Sequence, residues 1–352
     1  MAIRKVRFVA LGAIACLAVL IGAVASGSAN TRNTGSAAAA SVKGKTVLFI
    51  GVNPTNSYVL QAWNTAKQLA AKDGLKIKED GVTAGNPQEE VNAIEDAASA
   101  NQYDGYVIVP QNATEDVPAI KQLVATGKPV VGDSIALGPN LCTDKPQVKG
   151  MAGAVVTPTC EVASQGFGPA TKLACKGLHP CNIGWIVGLV GFPGEEKMFA
   201  GVQRAAASIG AKIYQSAPTN YVISSATTET QSLLTAHPDI NVLVTGAGPQ
   251  IYLGASKAEL PAKLRIVADG AVAQELQALK TGKPDIVAIV TGNGLPKSDT
   301  QNSMNILVKA LANKKYRNVG VDSIQAAGIP MLFTKANASA WKSFKPQWSA
   351  AG

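Results

Sequence analysis

The chain has 352 residues, with 32 Lys and Arg against 23 Asp and Glu and a formal net charge of +9. Only seven Phe and seven Tyr accompany these scattered basic residues, which argues against a nucleic-acid surface. The length suits two domains with separate cores, and beyond the N-terminus no apolar run is long enough to span a membrane.

Arg4, Lys5 and Arg7 precede an apolar stretch from Phe8 to Ala25, and Ala23-Val24-Ala25 or Gly27-Ser28-Ala29 offers small residues for cleavage. That order is the pattern of an export signal over residues 1–29. An uncleaved anchor is the competing reading, and the apolar run barely reaches the length it needs. Cys16, in Ala13-Ile14-Ala15-Cys16, resembles a lipoprotein box, but apolar residues continue well past it. The protein is therefore expected outside the cytoplasm, in the periplasm or on the extracellular face of the envelope. Residues 30–44 read as a flexible leader. Loss of the signal leaves 29 basic against 23 acidic residues, a mild +6.

The periodic part of the chain begins with VLFIG (Val47 to Gly51), followed by a polar turn and a helix whose inner face is Val59, Trp63, Ala66 and Ala70. Asn86-Pro87-Gln88-Glu89 reads as a capped helix start, with Val91, Ile94 and Ala98 facing inward. GYVIVP (Gly105 to Pro110) and KPVV (Lys128 to Val131) are further strands. A longer segment from Ile135 to Gly150 has no evident role. The second half repeats the style with IGWIVG from Ile183, INVLVTG from Ile240 and LRIVADG from Leu264. ATGKPVV at Ala125 echoes KTGKPDIV at Lys280, each a helix ended by glycine before a proline and a strand. Short apolar runs without alternation suit parallel strands buried on both faces, with helices as crossovers. The expected fold is α/β, with two αβα lobes on parallel-sheet cores.

Four cysteines remain after the signal: Cys142, Cys160, Cys175 and Cys181. An even count in an exported chain favours disulfides. Cys175 and Cys181 flank the turn KGLHP and are expected to pair, which leaves Cys142 with Cys160. A metal site using His179 within CKGLHPC matches no common zinc spacing, so no metal or cofactor is expected.

The ordered set NPTNSY, KPVVGD, AVVTPTCEVASQ, HPDINVLVTG, LGASKA, VADG and FTKANA resembles the ribose- and galactose-type periplasmic binding proteins over roughly residues 45–340. The resemblance implies a type I binding-protein fold, with lobes at 45–156 plus 292–321 and 157–291 plus 322–345, and a tail at 346–352. Three hinge crossings would lie near Val156 to Cys160, Thr291 to Gly294 and Gly320 to Ile324. It further implies a monomer that captures a small polar ligand, a sugar, polyol or amino sugar, and delivers it to an ABC permease in the membrane. A ligand-sensing receptor subunit read by a membrane signalling protein is the alternative.

Ligands in open α/β sheets sit outside the carboxyl ends of the strands. Those ends carry Asn53, Asn56 and Tyr58, then Gln111 and Asn112, Asp133 and Ser134, Phe192 and Glu196, Asp269, and Thr291 with Asn293. Carboxylates and amides bind vicinal hydroxyls and an aromatic covers the apolar face of a ring. The asparagines equally suit turns, and Glu195 with Glu196 suits a helix start. Asp133 and Asp269 match family positions that contact ligand. Trp63, Trp185 and Phe199 are assigned to the cores. Where sugar-binding relatives place an arginine in the second lobe, this chain has Glu196, and where they carry Asn-Asp it has Gly248 and Pro249. A neutral or cationic ligand fits such a set and an anion does not. GxSxG, GxxxxGK[ST] and GxGxxG after the first strand are all missing, so catalysis is not expected.

Overall fold

A computed structural model describes residues 42–52, 57–83, 85–246 and 248–349. The export signal, Cys16, leader residues 30–41 and the candidates Asn53 and Asn56 lie outside the described residues.

The apolar runs form two six-stranded sheets. The first has the order β11-β5-β4-β3-β1-β2 and the second β12-β10-β9-β8-β6-β7. In the first, β1 is Thr46–Val52, β2 Lys76–Val82, β3 Gly105–Val109, β4 Val130–Ser134, β5 Gly153–Val156 and β11 Val319–Asp322. In the second, β6 is Asn182–Ile186, β7 Lys212–Gln215, β8 Val242–Thr245, β9 Arg265–Asp269, β10 Asp285–Val290 and β12 Leu332–Thr334. Among the described residues the strand pairs are parallel except β10 with β12, which is antiparallel. The central strands β3, β5, β6 and β8 are buried along their whole length. Helices on both faces account for that burial and for the lack of alternation in the sequence. The edge strand β2 alternates instead, as a strand half in water must.

Local chemistry sets the element ends. The Asn86 side chain accepts from the Glu89 amide, while Glu89 reaches back to the Thr83 amide, so orphan amides are satisfied at the start of the helix Pro87–Ala100. Gly282, at φ 70°, ends the helix Ala273–Thr281 in the left-handed conformation that glycine adopts without cost.

Three connections join the sheets. After β5 the chain enters a helical run from Thr159 to Cys175 that packs on the second sheet. After β10 it crosses into the helix Pro296–Ala312, whose Met304, Leu307 and Leu311 pack with Val47 and Phe49 of the first. After β11 it leaves again through Ser323–Ala327 towards β12. Trp185 packs between Phe167 and Phe199, and Trp63 against Phe49, as core residues. The disulfides are Cys142–Cys160 and Cys175–Cys181, with Cα separations of 4.9 and 5.5 Å. The segment after β4 is not loose: Leu137, Leu141 and Val148 are buried, and the Gln147 side chain bonds both backbone groups of Asn140.

Candidate functional site

A cleft of about 180 Å³ lies between the lobes at the carboxyl ends of their strands. Tyr58, Gln111 and Ser134 line it from the first lobe, Thr157 and Thr159 from a crossing, and Phe192, Met198, Tyr221, Gln250 and Asn293 from the other side. Trp348 completes the wall. Of the residues expected from sequence, the structure thus brings together Tyr58, Gln111, Phe192 and Asn293.

The others fall elsewhere for identifiable reasons. Asn112 turns its Oδ1 to the amides of Thr114 and Glu115, shaping a turn. Asp133 is fully buried and accepts from the Thr300 hydroxyl at 2.9 Å. Side chains alternate along a strand, so it is its neighbour Ser134, at φ 73°, that faces the cleft. Asp269 is likewise buried behind Asn293, whose amide donates to it at 2.8 Å. The Thr291 hydroxyl donates to the Pro330 carbonyl, tying the crossing after β10 to the chain before β12. Glu196 is exposed on the helix Pro193–Ser208, because one residue turns the helix by about 100°. The inward carboxylate is Glu195, which accepts from the amides of Gly188 and Leu189 at 2.6 and 2.9 Å and from the Tyr221 hydroxyl at 3.0 Å.

Buried carboxylates therefore form a layer behind the polar lining instead of the lining itself. The Tyr58 hydroxyl donates to Asp299 at 2.6 Å, Tyr221 to Glu195, and Asn293 to Asp269. Burial pushes Asp299 up to about 7 and Asp269 up to about 8. Asp133 is raised by burial and by the neighbouring Asp299. A second pair sits beneath the Gln111 loop, where Glu90 accepts the amides of Gln111 and Asn112 at 2.8 and 3.3 Å. Burial raises Glu90 to about 7, and burial with the Glu90 charge raises Asp116 to about 8. Among the described residues the ion pairs are Lys145 with Asp144 and Lys335 with Asp285, so neither reaches these carboxylates. No described cleft-lining residue is Lys, Arg or His, and no described cluster of His, Cys, Asp or Glu suits a metal ion.

The sequence reading missed Gln250, Tyr221, Met198 and Trp348. Gln250 sits in the first turn of the helix after β8, the strand-end position the rule selects, and its amide donates to the Ser57 hydroxyl of the other lobe at 3.0 Å. Tyr221 lies in a loop where Asn220 and Tyr221 both have positive φ. No periodic pattern marks such a residue.

A family model described as periplasmic binding protein domain matches residues 47–328. A solute-binding protein of an ABC transporter from Mycobacterium smegmatis with bound glycerol aligns over 87% of this chain and 99% of its own, with 19% identity and a TM-score of 0.69. A periplasmic solute-binding protein from Actinobacillus succinogenes with bound D-allose aligns over 86% and 100%, at 18% identity and 0.68. A periplasmic ribose ABC transporter structure from Conexibacter woesei covers 86% and 96%, at 19% identity and 0.63. Identities this low speak for the shared fold, the two-lobed type I arrangement. Curated protein sequences yield no match.

Proposed function

The chain belongs to the periplasmic binding protein family, and from that premise we propose that it is an extracytoplasmic solute-binding protein that captures a small polar molecule and delivers it to an ABC importer. The observation that carries this reading is a cleft between two lobes walled by aromatics and amides with no basic group among its described residues. Tyr221 and Asn293 spend donors on buried carboxylates and keep oxygen lone pairs for a ligand. Such a wall favours a molecule rich in hydroxyl or ammonium donors, a sugar, polyol or amino sugar, and disfavours an anion. The bound D-allose, glycerol and D-fucose of solved structures with this fold are of that kind.

In this reading residues 45–156 with 292–321 close against 157–291 with 322–345. Closure removes water from the ligand and presents a new surface to the permease. The protein works as a monomer outside the cytoplasm. Calorimetry with D-allose, D-fucose, glycerol and D-glucosamine, beside native mass spectrometry of whatever co-purifies, tests it. One-to-one binding of a neutral or amino sugar is expected, and binding of carboxylates or phosphates alone would overturn it.

A further inference from the structure

Residues 346–352 read as a tail beyond a second lobe ending at 345, yet residues 344–349 run back to the first lobe. The run is anchored at its start in the second lobe. The Trp341 indole donates to the Thr334 carbonyl at 2.8 Å, and Phe344 packs on Phe333 with centroids 5.2 Å apart. It is anchored again at the first lobe. The Gln347 side chain accepts from the Ser298 amide at 2.9 Å and donates to the Ser298 hydroxyl at 2.5 Å. Ser298 lies in the first turn of the helix that follows the second crossing.

Between these anchors and the cleft stands Trp348. Its ring meets Tyr58 edge-on, with centroids 5.3 Å apart and planes at 85°. The indole also separates the cleft from a smaller cavity lined by Ser57, Leu60, Gln61, Asn64 and Ser349. Trp348 is only 7% exposed, and its Nε1 is buried without a hydrogen-bond partner. A buried indole N–H normally finds an acceptor, and leaving one without costs more than a typical hydrogen bond gains. The other indole of this region, Trp341, has its acceptor. The difference is that Trp348 faces a cavity built for a guest.

We infer that residues 344–349 form a strap that builds one wall of the cleft, and that Trp348 is a ligand-contacting residue whose N–H donates to a hydroxyl or ether oxygen of the guest while its ring covers apolar C–H groups. The ligand contact rests on the cleft being the solute site, whereas the strap stands on the anchors alone. Tyr58, Tyr221, Gln250 and Asn293 already spend donors within the protein, so an indole N–H adds a fixed donor at this wall and would orient a polyhydroxyl ligand. The strap also adds a fourth link between the lobes, non-covalent and therefore able to lift as they part.

The experiment uses the full chain labelled with 5-fluorotryptophan, whose four signals from Trp63, Trp185, Trp341 and Trp348 are followed by fluorine NMR, with Trp348→Phe as the assignment control. D-allose, D-arabinose and glycerol are the probes, each checked for binding by calorimetry. With a probe that binds, the Trp348 signal is expected to shift far more than the other three. Trp348→Ala should weaken that binding at least tenfold, and Trp348→Phe, which keeps a ring without the N–H, should fall between. Gln347→Ala, which touches only the anchor, should weaken it by less. A probe that binds with an unmoved Trp348 signal and native affinity in Trp348→Ala overturns the inference and leaves the solute-binding reading intact. If none of these probes binds, and D-fucose and D-glucosamine do not bind either, it is the solute assignment that fails. The strap is then judged in the ligand-free protein, where a Trp348 signal without a solvent isotope shift upholds it and a fully exposed one overturns it.

Discussion

At the scale of single residues, neighbours one position apart have opposite fates. Glu195 holds two loop amides and Tyr221, whereas Glu196 meets solvent. Glu196→Ala is accordingly expected to leave both ligand affinity and melting temperature unchanged. Glu195→Ala, which strands two amides, should cost about 1 to 3 kcal/mol per unsatisfied group and shift a calorimetric melting curve downward. Asp133→Asn should also act on stability more than on affinity, since Asp133 touches Thr300 and not the cleft. This scale was the least legible in the sequence. The strand-end rule selects loops that line the cleft, but which of two adjacent side chains faces inward depends on register and helix phase. Asp133 against Ser134 and Glu196 against Glu195 were both decided by one residue.

At the scale of elements, the helix Pro87–Ala100 carries Glu90 beneath the loop that presents Gln111. Glu90 rises to about 7 and Asp116 to about 8, both above their unfolded values near 4. The folded state therefore holds protons that the unfolded chain releases. The stability they contribute is fully present below about pH 4 and is lost as pH climbs through 7 to 8. Asp269 and Asp299, raised in the same direction, add to the slope. The melting temperature is expected to fall between pH 5 and pH 8.5. Asp116→Asn should flatten part of that fall, and a melting temperature that rises over this interval would contradict the account. Elements themselves were well marked in sequence: VLFIG, GYVIVP and INVLVTG are strands, and Asn86 caps its helix, because burial on both faces and capping chemistry are local properties. The antiparallel edge β12 and the returning residues 344–349 were not, since each is positioned by contacts far along the chain.

At the scale of the whole molecule, three chain connections, one strap and the Gln250 to Ser57 bond hold the lobes together. A few polar contacts of this kind, each worth about 1 kcal/mol net, leave the interlobe angle free to respond to a ligand. Small-angle scattering should show a smaller radius at saturation with a binding sugar than without it. An unchanged radius would count against hinge closure. The two-lobed plan was legible from the paired halves and the ATGKPVV and KTGKPDIV echo, because topology of this kind is written in the spacing of apolar runs.

The disulfide between Cys142 and Cys160 has a consequence at that same scale. Leu141 is buried against Ala113, Ala136 and Val156, and its carbonyl accepts the Thr159 amide at 2.7 Å. Cys142 is thus fixed to the first lobe, while Cys160 lies at the start of the helical run, opened by Thr159, that leads into the second. The bridge lies across a crossing like a door stop, and under the proposed hinge motion it would trim the widest openings from the unliganded ensemble. A protein that wanders less has a larger fraction of molecules ready to shut, and apparent affinity scales with that fraction. The oxidising chemistry of a compartment would in this way enter the binding constant of the proposed solute without any sulfur touching it.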